Sequence, residues 1–496
     1  MSQRAVTKSR NEAFARVVWS AHILSYLSQQ RSQPAVIPSV TIAKADTEAE
    51  AEEEEEEEEE DFPSNVTTAL GSVDEDIKAK FLDCIAETLS SKKGWHYVTA
   101  TGLREYECDV IVDVARNTDF SVVEADQHYL TLLKNFLFAQ GHTHIDYFTS
   151  LGDNNTSLGK GKHADTGRLD FEEATITYHS ARLNSSSSRL HDLIRMKFER
   201  IFEAEEYQLS GASSLVRVLR FLQATEVNLI SLVRSSYECT QSPDVKIFLD
   251  SILGLTASNK VWREICLLAR PVSACRLLED VARCLPQFQR IEVILHKSPD
   301  PVILDGQFTL SIHEAWQRLG LPEQTAATRR VLQQFKDVFK KDCSKPFSTH
   351  AEVQLMIHYS NSLHTEPTLA YLGCSKKSCL LCEILMRKSP LQLKTRGRHG
   401  KCYPAWGIPL SNIENLEVQL AQVAESLFDR ILECQNNAGG FFYQPAAESS
   451  VLSGLKDSDV GKLMLRKHTI NEEEQRRNAI HGRLQLQFVI SLQESH

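Results

Sequence analysis

Two short motifs place histidine, glutamate and cysteine side chains at spacings that suit a metal centre. The first is His350-Ala-Glu352, and the second is Cys379-Leu-Leu-Cys382, which begins 29 residues after His350. Imidazole nitrogen and thiolate sulfur are ligands that zinc prefers in proteins, and three protein ligands leave a fourth position open to water. The sequence therefore predicts that His350, Cys379 and Cys382 bind Zn²⁺.

Glu352 has two interpretations in the sequence alone. It lies two residues after His350, where a carboxylate can take a proton from a metal-bound water and return it to a leaving group. The structural alternative is a capping box, in which Thr349 caps a helix and Glu352 bonds back to the backbone at its start. The helix dipole also favours a carboxylate at this position. We therefore expect Thr349 as the helix N-cap, and Glu352 as either the catalytic group or a cap.

The two cysteines are predicted to share one face of a second helix, because residues three apart are neighbours on a helix surface. Ser378 is the expected cap, and a helix N-terminus lowers the pKa of a thiol towards the thiolate form that binds metal. A short apolar strand at 369–373 would separate the two helices and allow both helix starts to face one point. The alternative is a closed structural site with Cys374 as a fourth ligand and no position open to water.

The combined motifs point to a reaction class. A His-x-Glu followed by a Pro-Cys-x-x-Cys is the signature of zinc nucleobase deaminases. Here Ser378 stands where that signature has proline. The proline of the signature serves the start of the helix and takes no part in the chemistry. The sequence predicts a zinc-dependent hydrolytic deaminase of a nucleobase, free, in a nucleotide or in nucleic acid. Zinc-bound hydroxide would be the nucleophile and Glu352 the proton shuttle. A non-catalytic deaminase-like scaffold with a structural zinc site, acting as an interaction protein, is the alternative.

Three stretches resemble the fungal branch of the OTT_1508-like deaminases, within the nucleic-acid and nucleotide deaminase superfamily. They are residues 349–355, 371–382 and 395–406, inside a region of resemblance over about 290–410. Residues 1–61 take no part. The resemblance implies a cytidine-deaminase-like fold, a mixed sheet with the metal-bearing helices packed on one face. It also implies that His350, Cys379 and Cys382 bind zinc and that Glu352 shuttles the proton, with no substrate assigned to the family.

A basic segment follows the second metal helix. Arg396, His399 and Lys401 are candidate substrate-binding residues, because such a segment could hold a phosphate or a nucleic-acid backbone beside the zinc. The glycines between them favour close approach. The alternative is a solvated connection between elements. Tyr403 and Trp406 could stack on a base or make aromatic contacts in the core.

The elements that must position these motifs indicate an α/β protein, α+β overall. A helical N-terminal region would precede a cytidine-deaminase-like mixed sheet with packed helices. Hydrophobic periodicity and composition divide the chain. The predicted segments are an N-terminal helix and disordered acidic tether (1–61), a mixed α/β segment (62–150), a linker or loop (151–188), a helical domain (189–285), a deaminase-like zinc domain (286–435) and a C-terminal extension (436–496).

Composition limits the function classes. With 496 residues, 42% hydrophobic and 24% charged, the chain suits a globular protein of two or three domains. Its net charge is −11, but residues 46–61 hold 13 acidic and no basic side chains, so the remainder carries +2. Such an acidic run is usually a solvated tether. A charge of +2 is too small for nucleic-acid binding without chemistry.

The predicted location is intracellular, in the cytoplasm or nucleus. The 12 cysteines are not arranged as a disulfide framework, which favours a reducing compartment. No apolar run approaches the roughly 20 residues of a membrane helix, so no membrane partner is expected. Residues 4–27 combine basic side chains with a helical apolar stripe, which favours a helix packed on the protein over a mitochondrial presequence. The expected partner is a nucleobase-containing substrate, and no protein partner is assigned.

Overall fold

The computed structural model describes residues 3–29, 73–106, 109–120, 124–150, 161–195, 212–224, 227–285, 287–288, 290–361, 366–410 and 415–436. The predictions for the acidic run 46–61 and the C-terminal extension 436–496 therefore lie outside these residues, apart from Asn436. The chain divides into two compact units, described separately below. Among the described residues, the first unit comprises 3–29, 298–361, 366, 377–410 and 415–436, and the second comprises those within 73–297 and 367–376.

Six strands lie in the described residues. They are β1 (Thr99–Glu105), β2 (Asp109–Arg116), β3 (Arg290–Leu295), β4 (Ser348–Thr349), β5 (Gly373–Cys374) and β6 (Trp406–Gly407). In the second unit, four of them form a mixed sheet in the order β3-β2-β1-β5, with β1 antiparallel to β2 and β5, and β2 parallel to β3. Alternate residues of β2, Val110, Val112 and Val114, are buried in the core on the sheet.

Helices surround this sheet in the second unit. They are α2 (Val73–Thr88), α3 (Glu124–Ser150), α4 (Gly161–Tyr178), α5 (Ser180–Ile194), α6 (Ala212–Gln223), α7 (Leu229–Thr240), α8 (Pro243–Leu253) and α9 (Leu255–Cys284). Helices α2, α3 and α9 supply apolar side chains to the core on the sheet. A second core, formed by α4 to α9 alone, occupies the predicted helical segment.

The linker predicted at 151–188 was wrong over most of its length, because α4 and most of α5 lie there. The run of serines concealed the helix. Ser186 and Ser187 are buried inside α5, and Leu183, Leu190 and Ile194 lie buried along the same helix. Serine is small enough to pack between helices, so its polarity gave a misleading loop signal. Residues 151–160 lie outside the described part.

The first unit is built from α1 (Gln3–Gln29), α10 (Ile312–Arg318), α11 (Ala326–Gln334), α12 (Lys336–Asp342), α13 (Ala351–Ser360), α14 (Leu380–Lys388) and α15 (Leu416–Asn436), together with the parallel pair β4 and β6. Helix α1 packs along α15 and is deeply buried. The Trp19 indole N–H donates to the Phe308 carbonyl at 3.0 Å, and the Tyr26 hydroxyl donates to Asp342 at 2.7 Å. The predicted N-terminal helix is therefore an integral part of this unit.

The predicted α/β class is confirmed, with a helical N-terminal region and a mixed sheet with packed helices. Its sheet takes strands from the predicted segments 62–150 and 286–435. The segment boundaries themselves stay a prediction. Among the described residues, no helix combines the length and apolar character needed to cross a membrane.

Candidate metal centre and active site

His350 stands at the junction of a two-residue strand and a helix. Strand β4 pairs in parallel with β6, so that Ser348 faces Trp406 and Thr349 faces Gly407. His350 is the N-cap of α13, with φ −67° and ψ 151°, and its side chain makes no capping hydrogen bond. The predicted N-cap at Thr349 was therefore wrong, and the capping box that was the alternative for Glu352 does not form. Pairing with β6 keeps Thr349 extended, so the helix begins one residue later than expected.

The cysteine helix is also capped one residue later than predicted. Cys379 is the N-cap of α14, and its sulfur accepts a hydrogen bond from the Cys382 backbone N–H at 3.4 Å. Ser378 instead joins a neighbouring segment through its backbone. It donates to the Gly397 carbonyl at 3.0 Å and accepts from the His399 N–H at 3.2 Å. This bridge fixes the start of α14 against residues 395–403.

The structure brings the three predicted ligands together. His350 Nδ1 lies 3.5 Å from Cys379 Sγ and 3.4 Å from Cys382 Sγ. All three atoms lie within 4.8 Å of one another. Both cysteines are buried, whereas His350 is only half-buried. Two helix starts thus converge on one point.

The charges of these groups are strongly coupled. Burial opposes ionisation of Cys379, but the hydrogen bond from the Cys382 thiol and the His350 imidazole outweigh it and hold the pKa of Cys379 well below its usual range. Burial and the neighbouring Cys379 thiolate raise the pKa of Cys382 well above that range. Burial lowers the pKa of His350, but Cys379 more than offsets it, so the pKa is raised. Cys379 is therefore the thiol that ionises more readily, and a metal would displace the remaining protons.

Glu352 is buried beside this cluster. Its side chain is 3% exposed, and its Oε2 has no hydrogen-bond partner among the described residues. Burial raises the pKa of its carboxyl group, although the His350 charge and a hydrogen bond from Ser378 act in the opposite direction. A carboxyl group with a raised pKa exchanges its proton closer to neutral pH, as an acid/base group must.

The donor set fits zinc with three protein ligands. One imidazole nitrogen and two sulfurs converge, and this combination is typical of zinc sites that keep a fourth position open. Cys374 stands outside the group. Its thiol donates to the Leu372 carbonyl at 3.6 Å, and its N–H donates to Asp83 at 3.0 Å in the second unit. The arrangement therefore gives no support to a closed site with Cys374 as fourth ligand.

The candidate substrate residues belong to the segment bonded to α14. The Leu380 N–H donates to the Lys401 carbonyl at 3.0 Å, while the Lys401 side chain is exposed. The half-buried His399 accepts the Lys401 N–H on Nδ1 at 3.0 Å. The Tyr403 ring lies 6.3 Å from the His350 ring and 5.3 Å from the His399 ring. Tyr403 thus connects His399 to the metal cluster.

Part of the basic segment is neutralised. Arg398 is ion-paired with Glu383 of α14, and Arg387 lies 3.9 Å from the same carboxylate. Arg396 is half-buried. Arg398, which is not among the candidate substrate residues, thus pairs with α14. Arg396 stays a candidate for contact with substrate.

Of the two interpretations of Trp406, the aromatic contact in the core is confirmed. Its side chain is 1% exposed, so it cannot stack on a base in this structure. Its indole acts on the Cys382 thiol, where it favours the thiolate. The only signal in the sequence was the Trp406-Gly407 pair after a glycine-rich segment, which did not reveal a strand of two residues.

Residues 349–410 match the family model of an OTT_1508-like deaminase. No curated protein and no solved structure shows a significant match to the chain. The match includes β4, α13, α14 and β6. It contains the three candidate ligands His350, Cys379 and Cys382 and the buried Glu352. The residues that build this site are therefore similar to those of the OTT_1508-like deaminase family.

Proposed function

We propose that this protein is a zinc-dependent hydrolytic deaminase of a nucleobase. The observation that carries the proposal is the convergence of one nitrogen and two sulfurs within 4.8 Å, beside a buried carboxylate oxygen without a hydrogen-bond partner among the described residues. The family match supports the reaction class. Nucleobase deamination needs an activated water and a group that moves its proton, and these residues can supply both requirements.

His350, Cys379 and Cys382 would hold the zinc. When bound, zinc would lower the pKa of a water in its open position to about 7 and so supply a nucleophile at neutral pH. The two thiols sit at the start of α14, where the helix dipole and the Cys382 N–H stabilise negative charge on sulfur. Substrate would approach the cluster on the side of His350, the least buried of the three ligands.

Glu352 would carry the proton. Its raised pKa allows it to accept a proton from the water and to donate it to the ring nitrogen or the departing amine. Burial at the first turn of α13 holds the carboxyl group next to His350 and limits competing contact with solvent. Ammonia would leave from the carbon that the water attacks.

The substrate would lie against the segment that follows α14. Tyr403 is exposed enough for a base to stack on its ring, and the ring lies beside that of His350. Arg396, His399 and Lys401 would bind a phosphate of the substrate. We also propose an intracellular location, in the cytoplasm or nucleus, because the two ligand thiols must stay reduced to bind metal.

Metal analysis gives the first test. The purified wild-type protein should hold about one zinc per chain, and Cys379→Ser combined with Cys382→Ser should remove it. Cys402→Ser is the matched control, since this thiol lies in the same unit but contacts the Ala21 carbonyl at 3.7 Å. A double variant that keeps one zinc per chain would place the metal elsewhere.

Ammonia release from a panel of nucleobases, nucleosides, nucleotides and single-stranded DNA and RNA tests the reaction. Glu352→Ala should keep zinc and reduce turnover by at least about 100-fold, the contribution of a positioned acid/base group. Glu433→Ala, on the exposed face of α15, should leave turnover unchanged. Zinc-loaded wild type that releases no ammonia from the whole panel would contradict the proposal and favour the non-catalytic scaffold.

A further inference from the structure

Residues 92–97 form a short loop of the second unit, shortly before β1. Its exposed side chains are those of Lys92, Lys93, Trp95 and His96. Trp95 is 45% exposed, although tryptophan has a large apolar ring to bury. Single apolar residues on a surface are common, but here two cations accompany the ring. The loop therefore combines an aromatic surface with positive charge.

The backbone of this loop is tied to the loop that follows β2. The Asn117 side chain donates to the Trp95 carbonyl at 2.8 Å, and the Thr118 hydroxyl donates to the His96 carbonyl at 2.9 Å. The Val98 N–H donates to the same Trp95 carbonyl at 3.2 Å. These bonds fix the loop before any ligand binds, which lowers the entropy that binding would cost.

The side chains of the loop lie close together. The centroids of the Trp95 and His96 rings are 3.9 Å apart, with 33° between the ring planes. The Lys92 Nζ lies 5.6 Å from the centre of the Tyr97 ring. Aromatic rings and an ammonium group are therefore presented on one short, fixed segment.

The loop carries a net positive charge. Residues 88–104 contain no aspartate or glutamate. Lys92 forms no ion pair with a described residue, and the Lys93 ammonium donates to the Ser185 hydroxyl, a neutral group, at 3.0 Å. Asp119, next to Thr118 on the loop after β2, is an exposed acid that reduces this charge. Two lysines against one acid still favour an anionic ligand.

We infer that residues 92–97 form a binding site for single-stranded nucleic acid, with a base stacked on Trp95 and the phosphate backbone beside Lys92 and Lys93. Every base has a face that can stack on an aromatic ring, and a single strand leaves its bases open to such contact. Lysine is depleted in protein–protein interfaces, so the two lysines favour a nucleic-acid strand over a protein partner. The site belongs to the second unit alone and does not depend on the proposed zinc chemistry.

Binding of a labelled oligothymidylate to the full chain, followed by fluorescence anisotropy, tests the stacking contact. Thymine carries no exocyclic amino group, so this probe is no substrate for a deaminase. Trp95→Ala should weaken binding by roughly 5- to 150-fold, whereas Trp95→Phe keeps a ring and should retain most of the affinity. Tyr106→Ala is the matched control in the same unit and should bind as the wild type does. Tyr106 is 49% exposed but lies between Glu105 and Glu107, where a phosphate backbone would be repelled.

Salt dependence tests the contribution of the lysines. Each phosphate contact on a single strand contributes about −0.7 to the slope of log affinity against log salt concentration, so two contacts predict about −1.4. Lys92→Gln should reduce the slope to about −0.7, because one contact is lost. Lys134→Gln, at an exposed position of α3, is the control and should leave the slope unchanged.

A wild type that does not bind the oligothymidylate would overturn the inference. The same holds for Trp95→Ala with wild-type affinity, or Lys92→Gln with the wild-type slope. A wild-type oligomer that dissociates in Trp95→Ala, with no binding of the probe, would assign the loop to contact with a second copy of the chain instead. If Trp95→Ala failed to fold, the slope of Lys92→Gln would still decide. Zinc content and ammonia release are measured separately, so failure of the proposed function would leave this inference standing.

Discussion

The carboxyl group of Glu352 is buried at a cost to folding. Burial favours its protonated form and raises its pKa, and its Oε2 has no hydrogen-bond partner among the described residues. At neutral pH the unfolded chain gains more from ionising this group than the folded chain does. The stability that the group contributes is present below the unfolded pKa and is lost as pH rises through the raised folded pKa. A residue kept in such a place is expected to serve chemistry more than folding.

Glu352→Gln should therefore stabilise the metal-free protein at pH 7. We expect a gain of about 1 kcal/mol, or a few degrees in Tm, because the amide carries no charge to bury. Thermal unfolding of chelator-treated protein measures it, and Glu433→Gln on the exposed face of α15 is the control. The gain should shrink as pH falls towards the unfolded pKa of glutamate. A loss of stability at pH 7 would show that the carboxylate is well compensated.

At this scale the sequence identified the cluster but not its surroundings. Histidine and cysteine spacing predicted His350, Cys379 and Cys382, because local motifs carry ligand chemistry within a few residues. Both caps lie one residue later than predicted, since β4–β6 pairing and the bridge at Ser378 decide where the helices start. For Trp406 the sequence left base stacking and a core contact open, because a strand of two residues shows no periodicity that would assign its side chain to the core.

The pairing of β4 with β6 is the element on which the histidine side of the site depends. Gly407 makes this pairing possible. A Cβ at this position would lie 2.7 Å from the Phe347 carbonyl oxygen and 2.8 Å from its carbon, both backbone atoms that cannot move aside cheaply. The two strands can approach each other only because residue 407 lacks a side chain.

Gly407→Ala should separate β4 from β6 and disturb both His350 and Trp406. We expect a loss of about 1–3 kcal/mol in stability, the usual cost of overpacking, together with weaker zinc binding. Denaturant unfolding and zinc competition measure the two effects. Gly306→Ala is the matched control in the same unit, because a Cβ there meets no atom within 4 Å. Equal stability of the two variants would mean that the strands have room to adjust.

Elements of this size explain which parts of the fold could be predicted. Strands β2 and β3 span eight and six residues, which is long enough for the alternation or apolar runs that a sequence can show. Strands β4 and β6 have two residues each and are too short for any period to register. The strand predicted at 369–373 is reduced to the two residues of β5, Gly373–Cys374. The first part of helix α5 was missed because buried serines diluted its apolar stripe.

The first unit is assembled from distant parts of the chain, and α1 is one of them. His22 of α1 is buried between Tyr26, Phe339 and Phe347, and neither ring nitrogen has a hydrogen-bond partner among the described residues. Burial lowers the pKa of His22 to about 4, with Lys345 acting in the same direction and Asp342 against it. The folded unit therefore resists protonation that the unfolded chain accepts below about pH 6.5.

This difference predicts that acid destabilises the first unit through His22. Stability should fall as pH drops from about 6.5 towards 4, by up to roughly 3 kcal/mol from this group, because only the unfolded chain gains the proton in that window. His22→Phe should reduce the difference in Tm between pH 7 and pH 5, whereas His313→Gln, at an exposed position, should preserve it. An unchanged difference in His22→Phe would assign the acid sensitivity to other groups.

The discontinuity of the units also bears on the predicted domain at 286–435. A fragment with these bounds lacks α1, whose Trp19 and Tyr26 bond to residues of the first unit, and it lacks β1 and β2. We expect it to show no cooperative thermal transition in circular dichroism, while the full chain does. Addition of a peptide of residues 3–29 should restore the transition only in part. A fragment that unfolds cooperatively by itself would establish the boundary as an autonomous domain.

Residues 367–376 belong to the second unit, and this affects how the two units can be inherited. Residues before and after this passage belong to the first unit, while β5 within it completes the sheet of the second. A genetic exchange that moved the histidine and cysteine motifs as one contiguous block would carry β5 along and leave the donor sheet short of a strand. Recombination would therefore tend to transmit both units together. We therefore expect that the metal site was inherited together with the second unit. Transfer of the site to another protein by domain grafting faces the same restriction.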